Sequence, residues 1–386
     1  MGNFQTSISY GNKIIKYKGD RKMQFKIPTD KFKEMIAKAQ KGSSQNRMVP
    51  ITGLMELKVE DSVLTITTTD AANTLQIIEK GVDGQDGSIV VQVEIISKLI
   101  PKLTTPMTEV TLKGEGTSSE LIIKANGSYN IEIPMDEEGE FIHFPKPVAL
   151  EEFEEFEIDN EQLKEIYSIN KSALSLTMEQ PFLTGYYIGE TAISTDTFKV
   201  CSTNINLIDK DILIPPECME LLNIVEEKNI KLKYDGRSMY FETPNLKLYS
   251  TELEEKDNYP IEAVNQFVDT EFNDSCTVSR EEILKTLDRM MLFVSPYDKN
   301  AMSMIFGNDS VVFKSKQSNG KEVVKFKEKV ENDDYICSID IELLTSQIAA
   351  HQEPEIDIWY GHETALKIKA GKTVQVLALL GDDADV

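Results

Sequence analysis

One order of elements recurs three times along this 386-residue chain, and that recurrence limits the fold more than any single motif does. The clearest stretch runs from Phe182 to Thr203, FLTGYYIGETAISTDTFKVCST. Its β-branched and aromatic residues alternate and are interrupted by Gly and Asp, the signal of a strand meander. The spacing predicts strands Leu183–Ile188, Thr191–Ser194 and Phe198–Ser202, with turns at Gly189-Glu190 and Thr195-Asp196. The run from Pro50 to Ile78 carries the same marks, opening at Thr52-Gly53 and closing at Thr69-Asp70.

Around each meander the neighbours also repeat. In the first copy a strand at Gln24–Ile27 leads to a Thr29-capped helix whose Phe32, Met35, Ile36 and Ala39 keep helical spacing. In the second, Asp159 with Gln162 forms a capping box ahead of Leu163, Ile166 and Tyr167; in the third, Ser279 with Glu282 does the same ahead of Ile283, Leu287 and Met290. Each copy reads β-α-βββ-β-α-βββ over about 120 residues, too long for a solenoid repeat. The pattern predicts an α+β protein with domains at 23–147, 148–264 and 265–380, an extension at 1–22 and an acidic tail at 381–386. The joins, Phe144–Glu155 and Pro260–Phe272, are poor in pattern and read as linkers.

The four cysteines, Cys201, Cys218, Cys276 and Cys337, are scattered and read as buried thiols of a reducing compartment. No metal site, cofactor motif or paired catalytic carboxylates stand out, so neither a metalloprotein nor an enzyme is expected. Ala370-Gly371-Lys372-Thr373 resembles the end of a phosphate loop, but Leu366 stands where its first glycine belongs, so it reads as a turn. No apolar run is long enough to span a bilayer and no signal segment is read, which points to the cytoplasm. A formal net charge of −24 argues against a general nucleic-acid coat, though not against one basic surface.

The chain resembles the bacterial sliding clamp family, the beta subunit of DNA polymerase III. The resemblance rests on Val49-Pro50-Ile51, Ala125-Asn126-Gly127-Ser128-Tyr129, the acidic turn into Phe-Pro at Gly139–Pro145, and above all Ile193-Ser194-Thr195-Asp196-Thr197-Phe198-Lys199-Val200. It implies three tandem copies of a clamp-type domain, with sheets outside and helices lining a central hole in a closed ring of two chains joined head to tail. The implied partners are encircled duplex DNA, a second copy, and a replicative polymerase and clamp loader that dock through short peptides.

By position, the resemblance puts Leu183, Thr195, Thr197, Phe198, Lys199, Val200 and Pro260 on one wall of a peptide pocket, with Val374 and Val376 on the other. Thr197 replaces the family's Gly, Phe198 its His, and its Arg just after Pro260 is missing. Candidate DNA-facing cations on or beside the predicted helices are Lys38, Arg47, Lys98, Lys102, Lys164, Lys171, Arg280, Lys285 and Arg289. The alternative reading is a triplicated structural or assembly protein without DNA tethering.

Overall fold

The computed structural model describes residues 23–44, 46, 48–114, 119–316, 320–331 and 334–381. The extension, Arg47 and all but the first residue of the acidic tail lie outside these. The first copy runs β1 (Gln24–Pro28), α1 (Thr29–Gln40), β2 (Leu54–Glu60), β3 (Val63–Thr69), β4 (Thr74–Lys80), β5 (Asp83–Gln85), β6 (Gly87–Gln92), α2 (Val93–Leu99), β7 (Met107–Lys113), β8 (Glu120–Lys124) and β9 (Ser128–Glu132).

The second runs β10 (Glu154–Asp159), α3 (Asn160–Asn170), β11 (Tyr186–Ile188), β12 (Ala192–Thr195), β13 (Lys199–Thr203), β14 (Ile212–Ile214), α4 (Pro216–Leu222), β15 (Asn229–Tyr234), β16 (Ser238–Glu242) and β17 (Leu246–Thr251). After α5 (Ile261–Asp269), the third runs β18 (Asp274–Ser279), α6 (Arg280–Met290), β19 (Ala301–Phe306), β20 (Ser310–Ser315), β21 (Lys321–Lys325), β22 (Tyr335–Asp340), α7 (Ile341–Ala349), β23 (Glu355–Tyr360), β24 (Ala365–Ala370) and β25 (Thr373–Ala378). With β5 and α5 set aside, the element order is the same in all three.

Local chemistry explains where the helices start. Asp159 Oδ1 accepts from the Glu161 and Gln162 amides at 2.9 and 3.2 Å, and Ser279 Oγ accepts from Glu282 N at 3.4 Å. Both satisfy donors that a helix N-terminus leaves open. Thr29 departs from expectation: Pro28 holds the cap position, and Thr29 Oγ1 lies 2.9 Å from Thr108 Oγ1 in the interior. Proline at that place sacrifices no hydrogen bond, and the buried hydroxyl is satisfied across the core instead.

The described residues fall into two compact units. One ends at Pro145 and leaves out residues 69–76; the other holds those and everything from Lys146. In the first unit one sheet orders its strands β5-β1-β7-β8-β9, and a second group runs β4-β3-β2-β6. In the second unit the group β10-β15-β16-β17 accompanies the four-stranded sheet β21-β20-β19-β22 and an eight-stranded sheet, β14-β11-β12-β13-β25-β24-β23-β18. That last sheet joins the second and third copies, because β13 pairs antiparallel with β25 and sets Val200 opposite Val376. Period-two burial, as in β23 and β24, turns Ile356, Ile358, Leu366 and Ile368 into the core of the third copy.

Two stretches differ from the reading of the sequence. Leu183 lies on a 3-10 turn, Pro181–Thr184, and not on a strand. Proline opens that turn, and Gly185 follows where an added Cβ would sit 2.5 Å from Leu253 Cδ1. The second join is not a linker: residues 261–269 are helical, with Pro260 at the cap position. Proline there starts a helix as readily as it ends one.

Candidate functional site

The turn at Thr195–Lys199 is built by its own side chains. Asp196 Oδ1 accepts from the Phe198 and Lys199 amides at 3.0 and 2.9 Å, and Thr195 Oγ1 donates to Lys199 O at 2.8 Å. These bonds hold Thr197 at φ 78°, a left-handed conformation that a β-branched residue rarely adopts. Thr197 and Phe198 are exposed, whereas Thr195, Lys199 and Val200 are buried. The Lys199 ammonium donates to Ser172 O at 2.6 Å and pairs with Asp196 Oδ2 at 3.5 Å. Thr195 and Lys199 therefore spend their polar groups inside the protein.

Leu183, Val200 and Val376 share one apolar cluster with Ile193, Tyr259 and Phe272, and Val374 packs against it half-buried. The same cluster takes Val264 of α5, with Ile261 and Val268 against its edge. Helix α5 packs on both β13 and β25. Tyr259 stacks on Tyr187 with ring centroids 5.1 Å apart and fixes the entry to the helix. At the exit the Lys367 ammonium donates to Val268 O and Thr270 O at 2.8 and 2.6 Å and lies 4.8 Å from the centre of the Phe272 ring. A cation there answers the helix C-terminal carbonyls. Burial pulls the Lys367 ammonium below its ordinary value.

The structure thus gathers Leu183, Thr195, Thr197, Phe198, Lys199, Val200, Val374 and Val376 about one strand pair, with Pro260 at the cap of α5. The reading of the sequence missed the helix, although Ile261, Val264 and Val268 follow Pro260 at i, i+3 and i+7.

Behind the strand pair lies a buried polar seam. Gln347 Nε2 donates to Ser172 O at 3.0 Å, and His351 Nε2 lies 2.9 Å from Gln375 Oε1. His351 is fully buried, and burial lowers its pKa from the ordinary value near 6.5. All four cysteines are free and buried, which pushes their thiols up to about 12. Ala370 to Thr373 forms the β24–β25 turn, with Gly371 at φ 54°.

The candidate DNA-facing cations mostly meet partners of their own chain. Lys38 pairs with Glu34 at 2.8 Å, Lys98 with Glu94 and Lys285 with Glu281, each one helical turn away. Arg289 forms a two-pronged bridge to Glu322, and Arg280 donates to Ala349 O at 3.0 Å at the end of α7. Lys164 donates to Val225 O at 2.6 Å, Lys171 to the Tyr167 hydroxyl at 3.2 Å, and Lys102 is exposed beyond α2. Helix α1 has one more basic than acidic residue, α2 and α6 balance, and α3, α4 and α7 carry an acidic excess. Among the described residues no group of three or more His, Cys, Asp or Glu could hold a metal, and no helix is long and apolar enough to cross a membrane.

The fold, with its threefold β-α-βββ-β-α-βββ order, is that of the DNA sliding clamps. The DNA polymerase III beta subunit of Thermotoga maritima matches it with a TM-score of 0.80 at 19% identity, over 93% of this chain and 99% of that one. The Borrelia burgdorferi subunit, solved with a natural product, matches with a TM-score of 0.83 at 16% identity, over 93% and 99%. Residues 23–143 match the family described as DNA polymerase III beta subunit, N-terminal domain. The beta sliding clamp of Halalkalibacterium halodurans is 23% identical over 314 residues, 75% of this chain and 80% of its own. By these matches the chain is similar to bacterial-type beta sliding clamps, at low identity throughout.

Proposed function

We propose that two copies of this chain close head to tail around duplex DNA, without sequence preference, and tether a replicative polymerase and its loader through the site at the β13–β25 strand pair. In this reading the copies at 23–147, 148–264 and 265–380 are the domains of a non-catalytic processivity factor. The observation that carries it is the recurrence of one element order across the described chain, in a fold that matches clamp structures over 93% of its length.

Two open sheet edges favour closure by a second copy. Strands β9 and β21 each end their sheet and share one pattern of burial, with Ile131 and Val324 as the single buried residue of each. Lys321 and Lys325 lie exposed on β21, whereas Glu132 on β9 and the following Asp136–Glu140 stretch are acidic. Opposite charge on two edges that no described strand pairs favours pairing between copies.

The test is release from nicked circular DNA compared with the same DNA made linear. Retention on the circle and rapid loss from the linear form is the expected outcome; equal release from both, or a monomeric mass in solution, overturns the reading. Because so many helix cations are paired locally, the salt dependence of release should be shallow. Replacing Glu34, Glu94 and Glu281 by Gln should steepen it, since each phosphate contact adds about 0.9 to the logarithmic slope.

A further inference from the structure

We propose that residues 14–18 of the N-terminal extension are a built-in mimic of β21: they add as a strand to the open edge of β9 and cover it until a second copy takes their place. The inference rests on the closure between β9 and β21 proposed above and adds a competitor for it. The segment reads Ile14-Ile15-Lys16-Tyr17-Lys18, and the stretch it imitates reads Val323-Val324-Lys325-Phe326-Lys327, alike in type at all five positions. The segment lies outside the described residues; the edge it would join lies within them. Adding a strand to a free edge draws affinity from main-chain bonds and register from alternate side chains.

The edge is within reach of where the described chain begins. Met23 O accepts from Leu112 N at 2.8 Å, and Leu112, Leu121 and Ile131 face one another in turn across β7, β8 and β9. The chain therefore enters β1 at the Glu132 end of β9. A strand beyond β9 would lie four spacings from β1, about 19 Å. The six residues from Tyr17 to Met23 span up to about 20 Å. So short a tether allows only a parallel course, since an antiparallel one would put Lys18 at the far end of β9. That course sets Ile15 beside Tyr129, Tyr17 beside Ile131 and Lys18 beside Glu132. The apolar pair then continues the face on which Ile131 is buried and Tyr129 half-buried, and the lysines join the exposed side. Charge agrees: residues 1–22 carry five Lys or Arg against one Asp, while Glu132 and the Asp136–Glu140 stretch are acidic. A tether of this length gives an effective concentration on the order of a millimolar, enough to cover the edge of a lone copy. Five residues of parallel pairing are weak beside the contact of a whole second copy, which displaces them.

The test uses the full chain. Lys16→Cys combined with Asn130→Cys should form an intramolecular disulfide on mild oxidation, with the four native cysteines buried and out of reach. In analytical ultracentrifugation, deleting residues 2–18 should tighten self-association at least tenfold. Lys16→Glu with Lys18→Glu should tighten it severalfold, although the change only adds repulsion to a chain of net charge −24. Cross-linking that is absent or occurs only between copies overturns the proposal, as does self-association unchanged in both variants. An effect confined to DNA retention would assign the extension to phosphate contacts and overturn it as well. If every variant is monomeric, ring closure itself fails, and the cross-link alone then decides whether the segment covers β9.

Discussion

The turns at Thr69–Asn73 and Thr195–Lys199 are the same device wired in two ways. In both, the threonine hydroxyl donates to the carbonyl four residues on, at 2.6 and 2.8 Å. In both, the aspartate gathers two amides, at 2.9 and 2.6 Å in the first and 3.0 and 2.9 Å in the second. The third residue sits at φ 84° as Ala71 and at φ 78° as Thr197. The fifth residue makes the difference. Asn73 Nδ2 bonds back to Asp70 Oδ2 at 2.8 Å and closes the turn on itself. Lys199 reaches out to Ser172 O, the carbonyl that Gln347 of α7 also engages. One side chain thus recruits a self-contained turn into the seam between two copies.

Removing that side chain should have the largest effect. Lys199→Met leaves Ser172 O with Gln347 alone and the Asp196 carboxylate without its buried counter-charge, and should cost about 2 to 3 kcal/mol in chemical unfolding. A loss under half a kcal/mol would show that the outward wiring carries no stability. Next, Asp196→Ala should cost about 1 kcal/mol more than Asp70→Ala, because only the former also removes the counter-charge of a buried lysine. Equal costs would erase the distinction between the turns.

The seam can also be probed by pH. His351 is held neutral by burial, so its folded pKa lies below its unfolded value. The unfolded chain therefore binds more protons in that window, and stability should be fully present above about pH 6.5 and fall as pH drops towards the folded pKa. Thermal unfolding of His351→Gln between pH 7.5 and 5.5 should lack this part of the decline; an unchanged profile would remove His351 as its source.

The smallest effect is expected from relief of strain. Thr197→Gly should stabilise the chain by about 1 kcal/mol, more than Ala71→Gly does, since a β-branched residue suffers more at positive φ. Differential scanning calorimetry of the two variants separates them.

Much of the fold was legible in the chain. The order of elements repeats as it was read, and the caps at Asp159 and Ser279 form as their spacing implied. The site was legible only as a set of residues. Phe198 reads as an apolar anchor, yet nothing in its neighbourhood tells that it stands 65% exposed while Leu183 and Val376 are buried beneath α5.

By itself the sequence determined the repeated element order, the aspartate-built turns and the helix starts at Asp159 and Ser279, because these depend on residues within a few positions of one another. Tertiary structure decided the rest. It paired β13 with β25, turned residues 261–269 from an apparent linker into a seated helix, and matched lysines to carboxylates across turns and strands. Those outcomes depend on which distant surfaces exclude water together, and local pattern carries no record of that.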